Sequence, residues 1–166
     1  MNYASIRTCD IANGEGVRVS LFVSGCTHHC PGCFNPEAQS FDYGEPFTAK
    51  TEAEIFAALE PGYIAGLTIL GGEPLEPANQ SALLPFLRRF RERFGDRKTL
   101  WVYTGCVLDP ATMSLSPARF DLGATTRELL ALVDTLVDGP FIEALKDISL
   151  RFRGSSNQRI LQLRTL

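Results

Sequence analysis

Three cysteines stand close together near the start of the chain, in Cys26-Thr27-His28-His29-Cys30-Pro31-Gly32-Cys33, spaced C-x3-C-x2-C. Thiolates are soft ligands that suit zinc and iron–sulfur clusters alike, and a loop this short lets all three converge. Iron–sulfur clusters normally take four cysteine ligands. Three of them on a four-iron cube leave one iron open, and the amine and carboxylate of an amino acid can chelate it. The same thiolates fit a structural zinc ion if His28 or His29 joins them, so the cysteines alone leave both metals open. The two histidines otherwise read as solvated loop residues.

A second segment, Gly71-Gly72-Glu73-Pro74, shifts the balance towards the open-iron site. Glycines let a ligand approach the backbone closely, and the Glu73 carboxylate is an acceptor suited to an ammonium group. Alone, such a segment simply makes a turn; behind a three-cysteine loop it points to an amino-acid-bearing ligand.

The rest of the sequence must position these groups. With 166 residues, 45% apolar and 21% charged, the chain is long enough for one domain, residues 1–166, with its own core. The net charge of −3 gives no electrostatic reason to expect nucleic acid or an anionic membrane. No apolar run approaches the roughly 18 residues of a membrane helix, and residues 1–10 lack the blocks of a secretory signal. Five cysteines is an odd count, and a tight cysteine cluster fits metal binding in a reducing compartment better than a disulfide framework. A cytoplasmic protein is expected. Cys9 and Cys106 lie outside the loop and read as buried apolar thiols.

Strands are expected at 17–23, 67–70, 99–103, 135–137 and 160–163, most of them followed by glycine or a turn. Helices are expected between them: one from a capping box at Thr51–Glu54, one along the Leu83, Leu87, Phe90 and Phe94 stripe with Pro85 in its first turn, and one from a second capping box at Thr125–Glu128. Trp101 and Tyr103 are expected to pack against helices, and 107–123 to form an irregular excursion. Alternating strands and helices argue for parallel βαβ units. A full eight-unit barrel takes about 250 residues, so the fold class expected is α/β, as a partial, open (β/α) barrel with its ligand at the strand ends.

The cysteine loop and Gly71-Gly72-Glu73-Pro74 resemble the two leading motifs of the radical S-adenosylmethionine (SAM) superfamily. Further segments resemble, in order and over almost the whole chain, the activating proteins of anaerobic ribonucleoside-triphosphate reductases: Asn13-Gly14-Glu15-Gly16-Val17-Arg18, Ser24-Gly25-Cys26, Cys33-Phe34-Asn35-Pro36-Glu37, Val137-Asp138-Gly139-Pro140-Phe141 and Arg153-Gly154-Ser155-Ser156-Asn157-Gln158. The resemblance implies a [4Fe-4S] cluster on Cys26, Cys30 and Cys33, with SAM as the second cofactor. It implies a SAM site lined by Gly32, Cys33 and Phe34, with Phe34 near the adenine because Gly32 stands where many members carry an aromatic residue. Gly71, Gly72 and Glu73 would hold the methionine amino group, while Thr104, Gly105 and Asp138 line the ribose side. It implies one-electron cleavage of SAM and abstraction of hydrogen from a glycine of the large reductase subunit, fed by a reduced flavodoxin-type donor. Two other readings stand beside it. One is a radical SAM enzyme similar to 7-carboxy-7-deazaguanine synthase, against which Phe34-Asn35-Pro36 and residues 153–158 argue. The other, of a different class, is a non-catalytic zinc or electron-transfer docking module. For residues 153–158, a self-capped turn and a partner-docking element are both open.

Overall fold

The computed structural model describes residues 1–165. In chain order its elements are β1 (Asn2–Asp10), β2 (Val17–Val23), β3 (Glu45–Pro46), α1 (Ala49–Leu59), β4 (Ile64–Gly71), α2 (Pro77–Phe94), β5 (Thr99–Tyr103), the hairpin β6 (Val107–Asp109) and β7 (Ser114–Ser116), α3 (Ala124–Ala131), β8 (Thr135–Asp138) and β9 (Arg159–Gln162). Seven strands form one open sheet in the order β3-β1-β2-β4-β5-β8-β9. Its four central strands, β2, β4, β5 and β8, run parallel, and antiparallel strands flank them.

The parallel strands follow one another in sequence order with a helix in each crossover. Right-handed crossovers that always step the same way place every helix on one face of the sheet. Side chains alternate along a strand, so Val19, Leu21, Val23, Leu67, Ile69, Leu100, Val102 and Leu136 meet the helices in one buried cluster. The alternate residues Arg18, Ser20, Phe22, Thr68, Trp101 and Tyr103 belong to the other face.

Arg18 plugs that second face. It is 1% exposed and donates to Thr68 Oγ1 at 2.7 Å, the Leu67 carbonyl at 2.8 Å, and Thr99 Oγ1 at 2.9 Å. Trp101 lies under its guanidinium and meets Phe152 edge-on. Trp101 and Tyr103 therefore face away from the helices, against expectation. In β5 it is Leu100 and Val102 that take the helix side.

The element boundaries carry further corrections. The N-cap of α1 is Thr48, with Thr51 as its capping-box partner, one turn before the expected Thr51–Glu54 box. Helix α2 opens at Pro77, where a missing N–H costs nothing, so Pro85 lies inside it and not in its first turn. At α3 no side chain caps Gly123; Thr126 instead accepts from the Leu122 amide and donates to Gln80. Residues 107–123 hold the β6–β7 hairpin and a 3-10 turn that buries Phe120. Strand β1 lies outside the expected strands, since Ser5, Arg7 and Thr8 are exposed and interrupt any apolar alternation. Cys9 lies on it and is exposed, not buried, whereas Cys106 is fully buried. Among the described residues no helix is long and apolar enough to cross a membrane.

Candidate functional site

The cysteine loop leaves the C-terminal end of β2 and is closed at its base. Gly25 and Cys26 donate backbone N–H groups to the carbonyls of Ala38 and Gln39 at 2.8 and 3.0 Å. The Cys33 amide closes a turn onto the Cys30 carbonyl at 3.2 Å. The end of β4 is stitched to the same base: Gly72 donates to the Val23 carbonyl at 2.7 Å and Glu73 to that of Gly25 at 2.8 Å. A Cβ on Gly72 would lie 2.6 Å from the Gly25 carbonyl oxygen and 2.8 Å from that of Ala38. Gly71 holds φ at +111°, a conformation open to glycine. These glycines are needed first to let two loops touch. The buried Asn79 side chain ties the junction from α2, donating to the Ser24 carbonyl at 3.0 Å and to that of Glu73 at 2.9 Å.

Glu73 is a hub. Its Oε1 accepts from the Leu75 amide at 2.7 Å and from the Thr104 hydroxyl at 2.8 Å. Its Oε2 accepts from the Gly105 amide at 2.8 Å and meets His28 Nε2 at 2.8 Å. The carboxylate is 1% exposed, and a buried charge stands only when its acceptor sites are filled. His28 is therefore no solvated loop residue: its ring stacks on Phe120 with centroids 4.6 Å apart and its Nε2 lies 3.7 Å from Cys106 Sγ. His29 is exposed and bonds Gln39 at 2.9 Å. Both histidines thus bond to groups other than the cysteine loop, His28 to Glu73 and His29 to Gln39.

One cavity of about 500 Å³ lies at the C-terminal ends of the parallel strands. Cys26, Cys30, Cys33, Phe34, Gly71, Gly72, Glu73, Thr104 and Gly105 all line it. Gly32 sits on the same loop with φ +71°, and a Cβ there would meet the Glu143 carboxylate at 2.8 Å. Phe34 is 63% exposed and packs on Phe141 with centroids 5.1 Å apart. Neither Gly32 nor Asp138 is among the lining residues. Asp138 is fully buried, pairs with Arg159 and accepts from the Leu108 amide at 2.8 Å, so it locks β8 to β9 and the hairpin.

The donor set fits an iron–sulfur cluster. Burial pushes the Cys26 thiol up to about 11 and raises that of Cys30, while backbone N–H groups of His28 and Phe141 act in the opposite direction. Such thiols are protonated at neutral pH until a metal displaces the proton. The match to the 4Fe-4S single cluster domain model runs over residues 12–161. The chain is 44% identical over 162 residues to the anaerobic ribonucleoside-triphosphate reductase-activating protein of Pasteurella multocida, covering 96% of each chain. It is 40% identical to that of Escherichia coli K12, over 99% of this chain and 100% of the other. It is 36% identical to that of Enterobacteria phage T4, over 96% and 93%. The chain belongs to the anaerobic ribonucleoside-triphosphate reductase-activating protein family. It carries the 4Fe-4S cluster domain of that family, and Cys26, Cys30 and Cys33 line one cavity within it.

Among the cavity residues whose place there the sequence does not show are His28, Tyr103 and Arg7. His28 gives no signal beyond its place between two ligands. Tyr103 could have been found from strand alternation, since it shares a parity with Thr99 and Trp101. Arg7 comes from a strand that the sequence does not reveal, and its guanidinium lies over the Phe22 ring.

Proposed function

We propose that the chain is a radical SAM enzyme that activates an anaerobic ribonucleoside-triphosphate reductase by installing a glycyl radical on its large subunit. One observation carries the reading: the cysteine loop and the Gly71-Gly72-Glu73 strand end are sewn together by Gly72–Val23 and Glu73–Gly25 backbone bonds at the head of a single cavity. A cluster ligand set and a glycine-lined wall thus face one ligand volume, large enough for a nucleoside-bearing amino acid. The four parallel strands, wound in one direction with helices on one face, support a partial, open (β/α) barrel of the radical SAM type.

Cys26, Cys30 and Cys33 would hold the [4Fe-4S] cluster, which would supply the one-electron reduction of SAM on which hydrogen abstraction from the target glycine depends. The chain's own residues orient and shield. The backbone at Gly71 and Gly72 offers carbonyl acceptors to the methionine ammonium, and Cys33 and Phe34 edge the adenosyl side. Thr104 and Gly105 are held in place by Glu73. A reduced flavodoxin-type protein in the cytoplasm is the proposed electron source.

The test is anaerobic reconstitution with iron and sulfide, reduction, and incubation with SAM and the large reductase subunit. The expected result is 5′-deoxyadenosine formation together with a glycyl signal in electron paramagnetic resonance. SAM cleavage with no signal on the reductase would redirect the function to another substrate. Failure to hold a cluster would overturn the reading.

A further inference from the structure

Three ligand-type atoms of different chemistry converge beside the cysteine loop: His28 Nε2, a Glu73 carboxylate oxygen and Cys106 Sγ all lie within 4.8 Å of one another. They come from separate segments. His28 belongs to the cysteine loop, Glu73 follows β4, and Cys106 lies between β5 and β6. His28 Nε2 is 2.8 Å from Glu73 Oε2 and 3.7 Å from Cys106 Sγ. Cys106 and Glu73 are buried, and the His28 side chain is 10% exposed. The surroundings hold each group in place. The His28 ring lies on Phe120, and on its other contact a Cβ at Gly105 would come within 2.7 Å of it. The Glu73 carboxylate is gripped by Leu75, Thr104 and Gly105, and the Cys106 amide donates to the Thr104 hydroxyl at 3.0 Å. Outer contacts of this kind orient the ligands of a metal.

One N–H on Nε2 cannot serve an oxygen and a sulfur equally, whereas a cation attracts all three atoms. Imidazole, carboxylate and thiolate are the donors of zinc sites, while magnesium and calcium take oxygen ligands. With bonds of about 2.0–2.3 Å, tetrahedral zinc holds its donor atoms about 3.3–3.6 Å apart. The His28–Cys106 separation is already near that span, and the His28–Glu73 gap need widen by only about half an ångström. We propose that His28 Nε2, the Glu73 carboxylate and Cys106 Sγ form a site for one thiophilic divalent cation of the zinc class, separate from the cluster. The ion replaces the His28–Glu73 hydrogen bond, keeps the three other contacts of the carboxylate, and offsets its buried charge. The Cys106 proton leaves to solvent as the thiolate binds. Water completes the fourth position from the cavity, which both His28 and Glu73 line. The bound ion ties the cysteine loop to the ends of β4 and β5. None of its ligands is a cysteine of the C-x3-C-x2-C loop, so the site stands independently of the function proposed above.

The first test removes the loop thiols. The full chain carrying Cys26→Ala, Cys30→Ala and Cys33→Ala is titrated anaerobically with cobalt(II) and then with zinc, its folding checked by circular dichroism. Buried Cys106 and exposed Cys9 are the cysteines left. One equivalent of cobalt is expected to give a thiolate charge-transfer band and the intense visible bands of a tetrahedral site, and one equivalent of zinc to abolish both. Adding Cys106→Ala should erase the charge-transfer band and weaken zinc by more than the roughly 10–100-fold that loss of an outer contact costs. Adding Cys9→Ala should change neither. The second test keeps the cysteine loop. Wild-type chain reconstituted with iron and sulfide, exposed to zinc and desalted, is expected to retain one zinc beside its iron, and Cys106→Ala to lose the zinc while keeping the iron. A folded triple-alanine chain with no thiolate band, or a band that depends on Cys9, overturns the proposal. So does a reconstituted chain that retains no zinc, or one whose zinc is unchanged by Cys106→Ala; this measurement decides alone if the triple-alanine chain fails to fold.

Discussion

Replacing Glu73 by glutamine keeps its shape and removes its charge, which isolates the hub from the volume it fills. In the native chain the two carboxylate oxygens accept from Leu75, Thr104, Gly105 and His28, all at 2.7 or 2.8 Å. A glutamine that keeps Oε1 towards Leu75 and Thr104 must turn its own amide hydrogens towards Gly105 and His28. The Gly105 N–H then loses its acceptor, and a buried unpaired donor costs about 1–3 kcal/mol. The bond to His28 passes from charge-assisted to neutral, a loss of about 1 kcal/mol. The sum is about 2–4 kcal/mol. At this chain length each kcal/mol lowers Tm by about 2–4 °C, so the expected drop is roughly 4–16 °C. Differential scanning calorimetry on cluster-free protein reads it without interference from iron. His28→Ala should be strongly non-additive with Glu73→Gln, because the two residues share one bond. A Glu73→Gln chain melting within about 2 °C of wild type would refute the hub.

Cys30→Ala should abolish iron and sulfide retention and, with it, all SAM cleavage, as read by metal quantitation and visible absorbance. Gly72→Ala should destabilise by several kcal/mol and detach β4 from the cysteine loop, since its Cβ meets backbone oxygens that have no room to move. Gly62→Ala, with nothing within 4 Å, should be neutral or stabilise by about 0.4–1 kcal/mol; similar unfolding midpoints for the two in urea would overturn the packing argument. Arg18→Met should destabilise by about 3–5 kcal/mol, because it strips donors from the buried carbonyls of Leu67 and Thr99. Burial lowers the Arg18 guanidinium only to about 10, so this loss should be the same at pH 6 and pH 8.

What the sequence made legible is what repeats or what reacts. The parallel strands came through because each is a short β-branched or aliphatic run ending at glycine or a turn, and β5 matched from Thr99 to Tyr103. The cysteine loop and the Gly71–Glu73 segment came through because their spacing has few other uses. What stayed hidden depends on partners remote in sequence. Strand β1 mixes polar and apolar residues without clear alternation and pairs with β2 on one side and β3 on the other. Asp138 looks like a ligand residue at a strand end, but Arg159, 21 positions on, claims it. Thr51 looks like an N-cap until Thr48 is seen to bind its amide. In each case the residue type was read correctly and its partner was missing.

The same logic bears on Glu73. A carboxylate behind two glycines at a strand end suggests a free acceptor waiting for an ammonium. In the folded chain all four of its positions are taken, by groups from three different segments, and only His28 is a side chain whose ring can swing away. A ligand ammonium that reached Oε2 would therefore have to displace His28, and with it the loop between Cys26 and Cys30. Alternatively, the ammonium rests on backbone carbonyls and Glu73 acts only to hold Thr104, Gly105 and the cysteine loop in register. The second arrangement breaks no hydrogen bond of a buried charge, and breaking one is the most unfavourable single step available at this site. Under the proposed function, then, the glycines and not the glutamate would make the polar contacts with the cofactor, and the glutamate would contribute to activity through the loops it joins.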